Sequence, residues 1–166
     1  MPERTASTIV EVPNELLFTE VKKILALGRC ATFRVKGNSM RLFLESGRDT
    51  VKIKSVAPDA IKTGDVVLAC IPTSGQYVLH RVIRRTGSRL VLMGDGNIKG
   101  TEECRDEDVV GRAVAFYRKG RNKPDSTSSM KWQCYSALWL RLKPLRRYIL
   151  AFHRRVWLRI FPIRNV

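Results

Sequence analysis

Several features that would mark an exported, membrane-spanning or zinc-binding protein are missing from this 166-residue sequence. Its first residues, MPERTASTIVEVPNELL, show no basic start followed by an apolar run, so a cleaved secretion signal is not expected. No apolar stretch reaches the roughly 18 residues of an ordinary spanning helix. The four cysteines form no C-x-x-C pair, which argues against a zinc site. The sequence therefore predicts buried, reduced thiols and a cytoplasmic location.

Acidic residues are scarce in one part of the chain only. Residues 121–166 contain 11 Lys and Arg against a single Asp, whereas residues 1–120 contain 20 against 14 Asp and Glu. The formal net charge of +16 therefore belongs mainly to a C-terminal tail attached to a nearly balanced domain. Such a tail fits three kinds of partner, namely an anionic membrane surface, nucleic acid or an acidic protein.

The middle of the sequence predicts a compact, mostly antiparallel β domain over residues 31–119, because short runs of Val, Ile and Leu alternate there with turn-forming residues. We expect strands at residues 32–37, 50–55, 65–71, 77–85, 89–94 and 109–117, with a hairpin turn at residues 86–88. The N-terminal segment, residues 1–30, is expected to hold one short helix at residues 15–27. The polar residues 120–131 predict a linker, and residues 132–166 a basic amphipathic helical tail.

Apolar residues of the tail recur at steps of three and four, which is typical of one face of a helix. We call them the tail stripe: Leu138, Leu142, Leu145, Ile149, Phe152, Val156 and Ile160. Pro144 is expected to divide the tail into two helices. One interpretation is a helical hairpin that packs on the β domain. The other is an interfacial membrane anchor, which the three tryptophans and eleven basic residues within residues 121–166 favour. Nucleic-acid binding is the weakest interpretation, since charge alone gives a non-specific footprint.

Three separate segments hold residues that could form a serine nucleophile, its base and a supporting acid. Ser39 follows a predicted strand, His80 lies within the predicted strand at residues 77–85, and Asp95 lies in the turn GDGN at residues 94–97. Taken singly, each is an ordinary loop hydroxyl, strand histidine or turn aspartate. Together they suit nucleophilic catalysis, because a serine hydroxyl needs a base to remove its proton and imidazole can do so at neutral pH.

The order of these pieces resembles the signal peptidase and LexA superfamily of serine peptidases over residues 32–117. The matching pieces, in the family's order, are Ser39-Met40, Gly47 with Asp49, Gly64-Asp65-Val66-Val67, His80-Arg81-Val82, Gly94-Asp95-Gly96-Asn97 and Val110-Gly111. Bacterial type I signal peptidases and LexA-like proteins have lysine at the base position. Because this chain has His80 there, it is most similar to the archaeal and endoplasmic-reticulum signal peptidase type.

That resemblance implies a peptidase-like β fold in which Ser39 is the nucleophile, His80 its base and Asp95 the acid that supports His80. Glu102 corresponds loosely to a further acidic residue of this type. Asn38 and Met40 flank the nucleophile and are candidates for the oxyanion and substrate-binding site. The implied substrate is an extended peptide bound along a strand edge, with small side chains next to the cut. No metal or cofactor is implied.

The sequence also departs from the family pattern. Arg41-Leu42 follows the Ser-Met pair where relatives usually have Pro two residues after Met, Gly47-Arg48-Asp49 replaces an adjacent Gly-Asp, and Gly37 stands where many relatives place an oxyanion-hole hydroxyl. We therefore expect a serine endopeptidase acting on a dedicated peptide or precursor, cytoplasmic or peripheral on a membrane. The alternative is a catalytically inactive peptidase-fold binding module, associated with membrane or nucleic acid through its basic tail.

Overall fold

A computed structural model describes residues 14–121 and 123–160. Residues 1–13 of the predicted N-terminal segment and residues 161–166 of the predicted tail lie outside the described part. The described part starts with helix α1 (Asn14–Ala26), which is followed by a curled antiparallel sheet. The strands are β1 (Ala31–Arg34), β2 (Thr50–Lys54), β3 (Val66–Ile71), β4 (Gln76–Thr86), β5 (Arg89–Met93), β6 (Glu102–Arg105), β7 (Val109–Tyr117) and β8 (Asp125–Ser126). The C-terminal helices are α2 (Met130–Arg141), α3 (Arg146–Phe152) and the single turn α4 (Leu158–Ile160).

The sheet has the order β1-β2-β7-β3-β4-β5-β6, with β8 paired to β7. All of its pairs are antiparallel, and β7 crosses back between β2 and β3 to join the first hairpin to the rest. The expected mostly antiparallel β domain with an N-terminal helix and C-terminal helices is therefore confirmed. The six predicted strands agree with β1 to β5 and β7, and the hairpin turn after Thr86 has the positive φ that favours Gly87.

Two strands were not predicted. β6 is four residues long and rich in charge, with the sequence EECR, so its apolar alternation is too short to detect. β8 lies inside the predicted linker and pairs with β7 through Ala115 and Phe116. The linker is therefore tied to the sheet for part of its length.

The sheet is covered on two faces because its side chains alternate from one face to the other. One face packs against α1 and α2, with Val51, Val66, Leu68 and Phe116 in its core. The other face holds a smaller cluster that includes Val67, Val82, Leu92 and Cys104. Consecutive residues of one strand therefore pack in different clusters, as Val66 and Val67 of β3 do. The same alternation determines which residues contact each other in the candidate site.

The C-terminal helices pack on the domain through aromatic side chains. Ser129 caps α2, accepting a hydrogen bond from the Trp132 backbone, and Pro144 lies in a single 3₁₀ turn that separates α2 from α3, as predicted. Trp132 and Trp139 are buried, and the Trp132 ring lies 4.6 Å from that of Phe43 and 4.7 Å from that of Phe116. This packing favours the interpretation of the tail as helices that pack on the β domain.

The tail stripe is not the face that packs. Leu138, Leu145, Phe152 and Ile160 are each at least half exposed, and Val156 is 39% exposed. Helical periodicity shows that residues share a face but does not say what covers it. The buried residues of α2 and α3 lie off the stripe, namely Trp132, Ser136, Trp139, Arg146 and Leu150.

The cysteines also differ from expectation. All four are free, but Cys104 alone is buried, while Cys30 and Cys134 are exposed. Burial raises the pKa of the Cys104 thiol to about 12, with a further contribution from Asp108 and Asp106. Within the described ranges, no helix is both long enough and apolar enough to cross a membrane.

Candidate functional site

His80 has an acidic partner on a nearby strand. Its Nδ1 lies 2.9 Å from Oε2 of Glu102, and the histidine is almost fully buried while the carboxylate side chain is 29% exposed. A neutral imidazole with its proton on Nδ1 can donate it to this carboxylate, and in that tautomer Nε2 is unprotonated. In the described part of the chain, Nε2 has no hydrogen-bond partner. The pair therefore has the geometry of an imidazole prepared to accept a proton.

Ser39 lies against Gly94, the residue that follows strand β5. Arg81 of β4 pairs with Met93 of β5, so the next step of the ladder brings Gly94 opposite His80. A methyl group added to Gly94 would meet the Ser39 Cβ at 2.9 Å and the Ser39 carbonyl oxygen at 2.4 Å. Directly opposed residues have Cβ atoms about 4.5–5.5 Å apart on the same face of the sheet. The strand register and the Gly94 contact together place Ser39 on the same side of the sheet as His80.

A hydrogen bond holds Ser39 in this position. The Gly96 backbone N–H donates to the Ser39 carbonyl oxygen at 2.7 Å. A methyl group added to Gly96 would also lie 2.6 Å from the Asn38 carbonyl oxygen. The close approach therefore needs glycine at both positions of the turn, which gives the sequence motif GDGN a physical reason. Among the described residues, the Ser39 Oγ makes no hydrogen bond, including none to His80.

Asp95 is not the partner of His80, and this corrects the sequence-based assignment. Its two carboxylate oxygens accept hydrogen bonds from Nε and Nη2 of Arg81 at 2.8 and 2.7 Å, and both side chains are fully buried. The reason is the two-residue period of a strand. Asp95 is two residues beyond Met93, which is opposite Arg81, so Asp95 and Arg81 share a face. His80 is next to Arg81 and points to the other face.

Of the two other predicted site residues, only Asn38 is accessible. Asn38 is exposed, and its carbonyl oxygen accepts a hydrogen bond from Arg41. Met40 is 1% exposed and belongs to the core cluster, so its side chain cannot line a substrate cleft. Over residues 14–121 and 123–160, the backbone N–H groups of Asn38, Ser39 and Met40 donate no hydrogen bond. Free amides beside a serine hydroxyl are the donors that an oxyanion hole requires.

The C-terminal helices contribute a second layer to the site. Nη1 of Arg81 donates to Ser136 Oγ at 2.6 Å, and the Arg81 guanidinium lies over the Trp132 ring at 4.9 Å. Arg146 of α3 is 2% exposed, and its Nη1 donates to the Gly94 carbonyl oxygen at 3.4 Å. Burial lowers the pKa of Arg146, whereas for Arg81 the Asp95 carboxylate more than offsets burial and raises the pKa.

Sequence reasoning proposed Asp95 as the partner of His80, whereas the carboxylate that contacts His80 is that of Glu102. The signal that could have found Glu102 is strand alternation, since His80, Gly94 and Glu102 share a face across β4, β5 and β6. This alternation could be applied to Glu102 only if the four-residue strand β6 had been predicted. The contacts that Ser136 and Arg146 make had no signal in the sequence. No cluster of three or more His, Cys, Asp or Glu suited to a metal ion occurs among the residues that the structure describes.

Comparison with known proteins adds no family assignment: no protein-family model matches the chain, and no curated protein is significantly similar to it.

Proposed function

We propose that this protein is a serine endopeptidase in which Ser39 is the nucleophile, His80 its general base and Glu102 the acid that orients His80. The observation that carries the proposal is the Glu102–His80 contact at 2.9 Å on the sheet face where Ser39 contacts Gly94. The family resemblance of residues 32–117 points to the same activity. Asp95 enters the proposal as the partner of Arg81, not of His80.

The proposed reaction begins with the Ser39 hydroxyl. Nε2 of His80 removes its proton while Oγ attacks the carbonyl carbon of the peptide bond, and the Glu102 carboxylate stabilises the imidazolium that forms. The free amides at residues 38–40 then bind the oxyanion. His80 returns the proton to the leaving amine, leaving an acyl-Ser39 ester. Water, activated by the same imidazole, hydrolyses this ester and frees Ser39.

An activity-based label tests the proposal directly. A fluorophosphonate probe forms a Ser–O–P bond with loss of fluoride only at an activated serine, and intact-mass spectrometry detects the adduct. We expect one adduct on the wild type and on the control Ser55→Ala, whose residue is exposed. Ser39→Ala and His80→Ala should give none. An adduct that persists in Ser39→Ala would overturn the assignment.

A second candidate function is a binding module that keeps the fold without catalysis. It is favoured by the Ser39 Oγ, which makes no hydrogen bond to His80 in the described residues, and by the sequence departures around Ser39. The same labelling experiment separates the two functions. If the wild type gives no adduct in the presence of anionic vesicles and of peptides with small side chains, the binding-module function replaces the peptidase function.

We also propose that the protein associates peripherally with anionic membranes through its tail. The support is the combination of exposed apolar side chains at Leu145, Phe152 and Ile160 with exposed Arg154, Arg155 and Arg159. An apolar helical face flanked by cations is suited to the headgroup region of an anionic bilayer. Nucleic acid would use the cations but leave the apolar side chains in water.

Co-sedimentation with vesicles tests this association. We expect binding to vesicles containing phosphatidylglycerol, weaker binding to pure phosphatidylcholine, and partial survival of binding at high salt through the apolar face. The triple variant Leu145→Ser, Phe152→Ser, Ile160→Ser should lose binding at high salt, whereas the control Leu27→Ser, at an exposed leucine beyond α1, should not. Binding to duplex DNA that exceeds binding to anionic vesicles would contradict the proposal.

A further inference from the structure

Two residues of the C-terminal helices are linked to the turn that holds Ser39, one directly and one through Arg81. Arg146 of α3 donates to the carbonyl oxygen of Gly94, and Ser136 of α2 accepts from Arg81. Gly94 lies against the Ser39 backbone. Arg81 donates hydrogen bonds to both carboxylate oxygens of Asp95, the residue that follows Gly94 in the turn. The tail is thus connected to the nucleophile through a single glycine and to the turn through one ion pair.

The burial of Arg146 needs an explanation because it opposes stability. A buried guanidinium loses its hydration, and it regains that free energy only through hydrogen bonds and a nearby anion. Here two buried arginines, Arg81 and Arg146, lie near the single carboxylate of Asp95, which is engaged by Arg81. Among the residues that the structure describes, Nε of Arg146 has no hydrogen-bond partner. Its guanidinium lies 5.0 Å from the Trp139 ring centroid and donates to Gly94.

We propose that Arg146 and Ser136 are positioning residues of the Ser39–His80 site. The inference rests on the proposed peptidase function. Arg146 fixes the Gly94 carbonyl, and Ser136 fixes the Arg81 guanidinium that holds Asp95, so the turn at residues 94–97 presents a rigid surface to Ser39. Displacement of a reacting atom by about 1 Å can reduce a rate on the order of 100-fold. The tail therefore forms part of the catalytic unit.

The test uses the full chain and the rate of fluorophosphonate labelling, separated into the maximal rate kinact and the probe affinity KI. Arg146→Met removes the charge and the donors but keeps the length of the side chain. We expect kinact to fall at least tenfold while KI stays within twofold. The matched control is Arg147→Met, at an exposed neighbour whose guanidinium contacts Tyr148 instead, and both constants should stay within twofold. Arg146→Lys should recover part of kinact, because lysine can still donate to Gly94.

Ser136→Ala is the milder variant and guards against loss of the fold. It removes one acceptor from Arg81 and leaves the helix surface otherwise unchanged. We expect a threefold to tenfold fall in kinact, with circular dichroism at the assay temperature equal to that of the wild type. The control Cys134→Ala lies two residues away on the exposed face of α2 and should leave kinact unchanged. Wild-type kinact in both Arg146→Met and Ser136→Ala would overturn the proposal.

A spectroscopic measurement separates failure of this proposal from failure of the peptidase function. The chain has two histidines, so the ring ¹⁵N shifts of His80 can be assigned with a His153→Gln variant. If the wild type is not labelled at all, the peptidase function fails, and the shifts still decide the positioning role. Shifts of His80 that change in Arg146→Met and not in Arg147→Met support it. His80 shifts identical to those of the wild type in both variants overturn it.

Discussion

Glu102 Oε2 lies 2.9 Å from His80 Nδ1, whereas the neighbouring Glu103 extends to the other side of β6, with a side chain 57% exposed and 4.0 Å from Arg89. The two glutamates are consecutive, so the two-residue period of the strand sends one to the imidazole and the other to solvent. They form a natural matched pair for testing what the acid contributes.

Replacing Glu102 should reduce reactivity at Ser39 without unfolding the protein. Glu102→Gln keeps the shape but can donate to Nδ1, which favours the wrong tautomer of His80 and removes the charge that stabilises the imidazolium. We expect the fluorophosphonate labelling rate to fall by roughly 10²- to 10⁴-fold. Glu103→Gln should stay within twofold of the wild type. Equal rates for the two variants would remove Glu102 from the proposed mechanism.

Replacing Asp95 should mainly affect stability. Asp95→Asn leaves the fully buried Arg81 without a charged partner, which costs about 3–5 kcal/mol of the free energy of unfolding. Urea unfolding followed by circular dichroism measures this loss. The double variant Arg81→Met, Asp95→Leu removes both charges and should recover most of it. If Asp95→Asn instead kept full stability and lost only labelling, Asp95 would act on His80 after all.

A methyl group at Gly94 should displace the nucleophile. In Gly94→Ala the new Cβ would lie 2.4 Å from the Ser39 carbonyl oxygen, so the Ser39 backbone must move. The control Gly111→Ala on β7 would introduce a Cβ 2.9 Å from Leu25 Cδ1, on the sheet face that packs against α1 and not on the face of His80. Both variants should lose about 1–3 kcal/mol of stability through overpacking. Only Gly94→Ala should lose labelling, by at least tenfold at temperatures where both remain folded.

The stability that Asp125 of β8 contributes to the fold should depend on pH. Burial opposes its charge, but hydrogen bonds from Lys131 and Arg118 prevail and hold the pKa of Asp125 below its ordinary value of 3.8. A carboxyl whose pKa is lower in the folded than in the unfolded state stabilises the fold above pH 3.8, and this stabilisation is lost as pH falls through the folded-state pKa.

Asp125→Asn should therefore destabilise the protein at pH 7, by about 1.5–3 kcal/mol for hydrogen bonds to a charged group. The difference from the wild type should shrink once pH falls below 3.8. Urea unfolding at pH 7, 5 and 3 measures it, with Asp59→Asn at an exposed aspartate as the control. A difference that is the same at all three pH values would mean that the amide disturbs packing and that the charge of Asp125 contributes nothing.

Most of the strands, and with them the placement of His80 within a strand, could be predicted because their signals are local. Short apolar or alternating runs define β2 to β5 and β7, and glycines with positive φ, such as Gly87, mark several of the turns. β6 was missed because it is short and charged, and β8 because two residues carry no periodicity. Missing β6 is also why Glu102 stayed a loose assignment.

The sequence by itself determined a mostly β domain with a basic helical tail, because periodicity and composition act within short segments, and it suggested Ser39 and His80 as candidate catalytic residues. Only the tertiary structure decided that Glu102 contacts His80, that Asp95 pairs with Arg81, and which face of the tail is buried. Those contacts depend on strand register and on which surface each helix meets. Both arise from packing between segments far apart in the chain, where free energy depends on complementary shape and charge that no single segment contains.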